Sequence, residues 1–142
     1  MTNKAFINLR ISGQELNLGK ITEQLGISPA HSYRKGETFF DEKRGGEKIV
    51  CQEDCWLAGT ETEPGETMGQ ALSRFIGDLL PFADFLKRLS KNVDITIWAS
   101  VYPESEQVNF HLSAEIIAAL HQIGAGFDGS ALFLRQFYDG RA

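Results

Sequence analysis

Ten consecutive residues, Val93 to Tyr102, alternate without interruption. Val93, Ile95, Ile97, Ala99 and Val101 fall on one side; Asp94, Thr96, Trp98, Ser100 and Tyr102 fall on the other. Successive side chains of a strand point to opposite faces, so a period of two marks a strand with one face turned to a core. If helices cover only the apolar face, Trp98 and Tyr102 project from the uncovered one and become candidates for partner binding or dimerisation. If a second layer covers that face too, they are core.

The same alternation recurs at the start of the chain, where Ile7, Leu9 and Ile11 oppose Phe6, Asn8, Arg10 and Ser12 until Gly13 ends the strand. Asn17 is placed to cap a short helix carrying Leu18, Ile21, Thr22 and Leu25, with Gly26 as a left-handed stop and Pro29 barring resumption. Further strands are expected over His31–Lys35, over Glu47–Cys51 behind the Gly45-Gly46 turn, and around Trp56–Gly59. Phe39 and Phe40 either continue the sheet or pack beneath a loop.

Thr67 opens the longest helical pattern, with Met68, Leu72, Phe75, Ile76, Leu79, Phe82, Ala83, Leu86 and Leu89 three and four residues apart. Pro81 falls inside it. Its ring would clash with the Gly77 carbonyl at a cost of about 3 kcal/mol, so a kink or two consecutive helices is predicted. After Tyr102, Pro103–Gln107 reads as a hairpin turn and Val108, Phe110 and Leu112 as its return strand. Ser113 then caps a helix whose core face holds Ile116, Ile117, Leu120 and Ile123, ended by Gly124 and Gly126, and Ala131–Tyr138 is the expected last strand.

Hairpins and strand pairs outnumber strand–helix repeats, which excludes a doubly wound parallel sheet. The fold expected is α+β: a mixed, largely antiparallel sheet with amphipathic helices packed on one face and ferredoxin-like elements. All 142 residues are expected to form a single domain, and 42% hydrophobic residues with ten Phe suffice for its core.

A net charge of −5 disfavours a nucleic-acid partner, because phosphate neutralisation needs clustered Lys and Arg. No apolar run approaches the roughly 20 residues needed to span a bilayer, and no signal-peptide core precedes the first strand. Two Cys rule out a disulfide-rich secreted fold, so a cytoplasmic location is expected. The mixed charges of Arg34–Lys48 and the five acids of Glu53–Glu66 read as solvated loops.

Candidate chemistry is sparse. Cys51 and Cys55 lie four apart, but His31, His111 and His121 are scattered over three elements, so no metal is expected. Gly124-x-Gly126-x-x-Gly129 has dinucleotide-fingerprint spacing yet follows a helix, where that fingerprint must open one. No Gly-x-Ser-x-Gly elbow occurs. Neither a catalytic residue nor a cofactor is therefore assigned. The turn Tyr33-Arg34-Lys35-Gly36-Glu37 could join Trp56 in a basic and aromatic surface; the preferred alternative makes Trp56 core and the segment a plain turn. Arg34, Lys35, Trp56, Trp98 and Tyr102 are thus the binding candidates.

Ile11-Ser12-Gly13, Ile21-Thr22 and Leu25-Gly26-Ile27-Ser28-Pro29 resemble the opening of the bacterial family called domain of unknown function 4279. Arg34-Lys35-Gly36-Glu37, Trp56-Leu57, Leu112-Ser113-Ala114-Glu115 and Leu120 to Gly124 resemble its later landmarks. The family often closes on an Asp-apolar-Tyr strand, and here Phe127-Asp128-Gly129 departs from that ending. The resemblance implies a compact α+β domain with no established catalytic role, some relatives of which resemble immunity proteins that neutralise toxins. It supplies no catalytic residues.

The leading expectation is a non-enzymatic binding module, of immunity or regulatory type, that masks a protein surface; its candidate partners are another protein or, as a homodimer, a second copy of the chain, with no nucleic acid and no membrane. Its rival is a small-ligand receptor or enzyme with a pocket between sheet and helices, using His111 or His121 with Asp94 or Glu115.

Overall fold

The computed structural model describes residues 4–41, 45–102 and 110–131. Strand β1 (Lys4–Gly13) buries Ile7, Leu9 and Ile11, as their alternation requires. It is the centre of a five-stranded sheet of order β2-β5-β1-β6-β7, with β2 spanning His31–Tyr33, β5 Asp54–Glu61, β6 Asp94–Tyr102 and β7 Gly126–Ala131. Every pairing is antiparallel except β6 with β7. The sheet is thus mixed and mostly antiparallel, and the fold is α+β.

Among the described residues four α-helices lie on one side of the sheet: α1 (Leu18–Leu25), α2 (Met68–Leu79), α3 (Ala83–Leu89) and α4 (Ala114–Ile123). Their apolar stripes meet Ile7, Leu9, Ile11, Trp56, Ala58, Ile95, Ile97 and Ala99 in one continuous core. Local chemistry sets their ends. The Asn17 side chain accepts from the Lys20 amide at the start of α1. Thr67 and Gln70 form a reciprocal capping box at the start of α2. Gly26 ends α1 in the left-handed region (φ 66°), where a side chain would be strained.

Pro81 acts as predicted. α2 stops at Leu79, a 3-10 turn covers Leu80–Phe82, and α3 starts at Ala83. The break turns one long stripe into two helices, α2 packed on the sheet and α3 on α4, with Leu79 and Leu86 fully buried on either side of it.

A second, two-stranded sheet pairs β3 (Thr38–Asp41) with β4 (Glu47–Val50). Phe39 therefore belongs to a separate hairpin, neither an extension of the main sheet nor a loop, and its ring stacks 5.1 Å from that of Tyr33.

Three expectations are corrected. Phe110 to Ser113 form no strand, while Val108 lies outside the described residues. The two edges of β6 are already taken by β1 and β7, which leaves no ladder for a hairpin return. The last described strand starts at Gly126, earlier than expected, and runs through Phe127-Asp128-Gly129; the expected residues beyond Ala131 fall outside the description. Finally, Ile117 is 55% exposed, because α4 turns Ile116, Ala119, Leu120 and Ile123 inward instead.

Candidate binding face

The core occupies one side of the sheet, and the register across its five strands arranges what stands on the other. One row runs His31–Leu57–Arg10–Thr96–Gly126, and beside it run Tyr33–Cys55–Ser12–Asp94 and Gly59–Asn8–Trp98–Asp128. A third neighbour is the row Glu61–Phe6–Ser100–Ser130, with Lys4 and Tyr102 opposite one another at the end. No described helix covers these side chains.

The face is aromatic at two ends. Phe6 meets Tyr102 edge to face, with centroids 5.6 Å apart, and Lys4 Nζ sits over the Phe6 ring while pairing with Glu61 at 3.3 Å. At the other corner His31, Tyr33 and Phe39 form a three-ring stack that ties the β3–β4 hairpin to the main sheet. Between them Trp98 is 38% exposed, and its Nε1 donates to Ser130 Oγ at 3.3 Å. Gly59 leaves a gap that the Asn8 amide fills; a methyl group there would sit 2.5 Å from the Ile7 carbonyl oxygen. The strands can lie this flat only with glycine at that position.

Beside the three-ring stack lie both cysteines, and both thiols are free. Burial pushes the Cys55 thiol up, and nearby Arg10 pulls against it. Burial, then Cys51, Cys55 and Glu37, raises Tyr33. A raised thiol is a weak nucleophile, so the corner offers packing more than reactivity. Among the described residues no three of His, Cys, Asp and Glu converge on a metal-sized site.

The sequence-derived candidates separate. Trp98 and Tyr102 share the open face, four residues apart on β6. Trp56 does not reach any surface: it is fully buried on the helical side, its Nε1 donating to Thr22 Oγ1 at 2.9 Å. The preferred alternative, Trp56 as core, is the one the structure shows, because β5 turns residue 56 inward in register with Ile11, and Trp56 drops out of the binding candidates. Arg34 and Lys35 stand at the turn after β2, at the sheet's edge and three strands from Trp98.

That turn is clamped by a residue the sequence did not single out. Asp54, 5% exposed, accepts from the Lys35 amide (2.7 Å), the Leu16 amide (2.9 Å) and Arg34 Nη1 (3.3 Å), while the same Nη1 donates to the Leu16 carbonyl at 2.6 Å. The Lys35 amide above all, with the Leu16 amide and Arg34, holds its carboxyl below the usual range. The acid run containing Asp54 is thus not a loop throughout: Asp54–Glu61 is β5, and only residues 63–65 form an exposed turn. An aspartate beside a strand looks like loop chemistry in the sequence, and only the partners brought from residues 16, 34 and 35 show otherwise.

The groups invoked for a pocket chemistry do not meet. His111, His121 and Glu115 are exposed in and before α4, while Asp94 stands on the open face. The hollow that does reach Asp94 is an open one of about 420 Å³ at the end of the sheet, bordered by Glu53, Lys91 and Asn92. No helix among the described residues is long and apolar enough to cross a membrane.

A sheet with helices on one face and an aromatic, polar array on the other defines an open-faced α+β domain. Residues 3–133 match the model of the family described as a domain of unknown function (DUF4279), and the chain belongs to that family. No curated protein and no solved structure matches it.

Proposed function

We propose that the chain is a non-enzymatic binding module that uses the open face of its sheet to mask a protein surface, in an immunity-type or regulatory role in the bacterial cytoplasm. One observation carries this reading: a half-exposed tryptophan stands in the middle of a sheet face that no described helix covers. Tryptophan and tyrosine offer large contact areas at low entropic cost, and they dominate the energetics of protein interfaces. Tyr102 and Phe6 extend the aromatic area along the strand, and the Asp54 clamp fixes the Arg34–Lys35 turn at its far edge.

The test compares Trp98→Ala and Arg34→Ala with the parent chain in affinity capture from the native cell. Loss of a co-purifying protein on Trp98→Ala, with the circular dichroism spectrum unchanged, supports the reading. Retention of the same partners by both variants overturns it.

A further inference from the structure

The central strand carries on its open face a charge that nothing described answers. Arg34 and Arg74 each hold a carboxylate, of Asp54 and Glu66 respectively. Arg10 lies half-buried between Leu57 and Thr96, yet among the described residues no carboxylate comes within 4.0 Å of it, and it donates no hydrogen bond. Two residues further along the same face Ser12 is 1% exposed, and its hydroxyl has no partner among the described residues. A guanidinium drawn partly out of water is satisfied best by a planar carboxylate bound through two parallel hydrogen bonds.

The unpaired charges on the same sheet face have the opposite sign; Lys4 there is held by Glu61, and Lys91 borders the hollow beside Asp94 at the end of the sheet. Asp94 stands opposite Ser12, Asp128 opposite Trp98, and Glu53 precedes β5; none is ion-paired among the described residues. The whole chain carries −5. One unpaired cation with the unpaired Asp94 and Asp128 on the rows beside it selects its complement, and the net negative charge steers a basic partner toward it.

We propose that the open face docks a protein partner whose contact surface is basic at the margin and presents a single carboxylate to Arg10. This rests on the binding-module reading and names the chemistry of its partner. Trp98 flanks the cation one row away and supplies the apolar contact; Arg10 supplies the register.

The probes are two capped pentapeptides, Ac-Lys-Phe-Glu-Phe-Lys-NH2 and the same peptide with Gln at its centre, titrated to millimolar concentration against the full 15N-labelled chain. The Glu peptide is expected to move the Arg10 Nε–Hε resonance and the amides of β1, β5 and β6, binding at least tenfold more tightly than the Gln peptide. Arg10→Gln should abolish that preference without moving the melting temperature, and Arg10→Lys, which keeps charge but loses the fork, should retain part of it. Equal binding of the two peptides overturns the role of Arg10, and if Trp98→Ala still weakens both, the binding-face reading survives that failure. Shifts confined to the helical side, no perturbation of the face by either peptide, equal competition by inorganic phosphate, or self-association in place of peptide binding each overturn the proposal.

Discussion

The two tryptophans of this chain occupy opposite faces of one sheet and meet opposite fates. Trp56 on β5 is sealed between α1 and the sheet, its indole N–H satisfied by Thr22 at 2.9 Å. Trp98 on β6 faces outward, 38% exposed, with a longer 3.3 Å contact to Ser130. The same residue type on the same sheet is structural on one side and available on the other. What separates them is strand parity: Trp56 stands in register with the inward Ile11, Trp98 with the outward Asn8. The inner face holds the fold together, and the outer face carries the exposed tryptophan.

The sharpest way to break this contrast is to truncate each indole in turn. Trp56→Ala removes a fully buried aromatic and should cost about 3–5 kcal/mol in denaturant unfolding. A cost below about 1 kcal/mol, the size expected for a surface site, would mean that the inner face is not the structural one.

Gly59→Ala tests how tightly the strands approach at the boundary between the faces. The added methyl would press on the Ile7 carbonyl oxygen at 2.5 Å and on the Asn8 amide. Overpacking of this kind should cost about 1–3 kcal/mol, and Asn8→Ser should not restore it, because the Ile7 carbonyl oxygen is backbone and stays in the way.

Smaller still is the effect of acid on the two clamps at the margins of the sheet. Asp54 and Glu66 both have folded-state values below their ordinary ones, and Arg74 holds Glu66 down to about 2. A depressed carboxylate contributes stability above its unfolded value and loses it as the pH falls through the folded one. Melting temperature should therefore hold steady above pH 4.5 and fall between about 4.5 and 2, the interval between the ordinary and folded values of Glu66. Glu66→Gln and Asp54→Asn should start from a lower melting temperature at neutral pH and show a shallower acid slope. An unchanged slope in both variants would show that neither clamp acts on stability.

The least disruptive change is Trp98→Ala, expected within about 1 kcal/mol of the parent. Acrylamide quenching gives an independent measure: of two tryptophans, one should be quenched freely and one protected. Equal protection of both would mean that the outer face is covered in solution, and the contrast between the faces would fail.

Much of the inner face was readable in the sequence. The alternation of Ile7, Leu9 and Ile11 and of Ile95, Ile97, Ala99 and Val101, the Thr67 cap and the Pro81 break all appear where the spacing puts them. The differences lie elsewhere. Phe110 and Leu112 read as part of a hairpin return because they follow a strand and a turn, but β6 had no free edge to offer them. Phe127-Asp128-Gly129 departs from the ending that the family resemblance implies, yet β7 runs through it with the Phe110 ring against Gly129. Of the candidate site, Trp98 and Tyr102 were legible as one face of one strand. Arg10 was visible on its own polar face, but its lack of a carboxylate among the described residues could not be seen there.

Periodicity along the chain alone set which residues of each strand share a side, because the pleat gives every neighbour the opposite face. It also set where helices start, stop and bend, since caps and proline act within a few residues. Which strands lie side by side, which face the helices cover, and which buried carboxylate finds its donors were decided only by tertiary structure. Those outcomes depend on contacts between segments tens of residues apart, such as Asp54 with Leu16, for which local spacing carries no record.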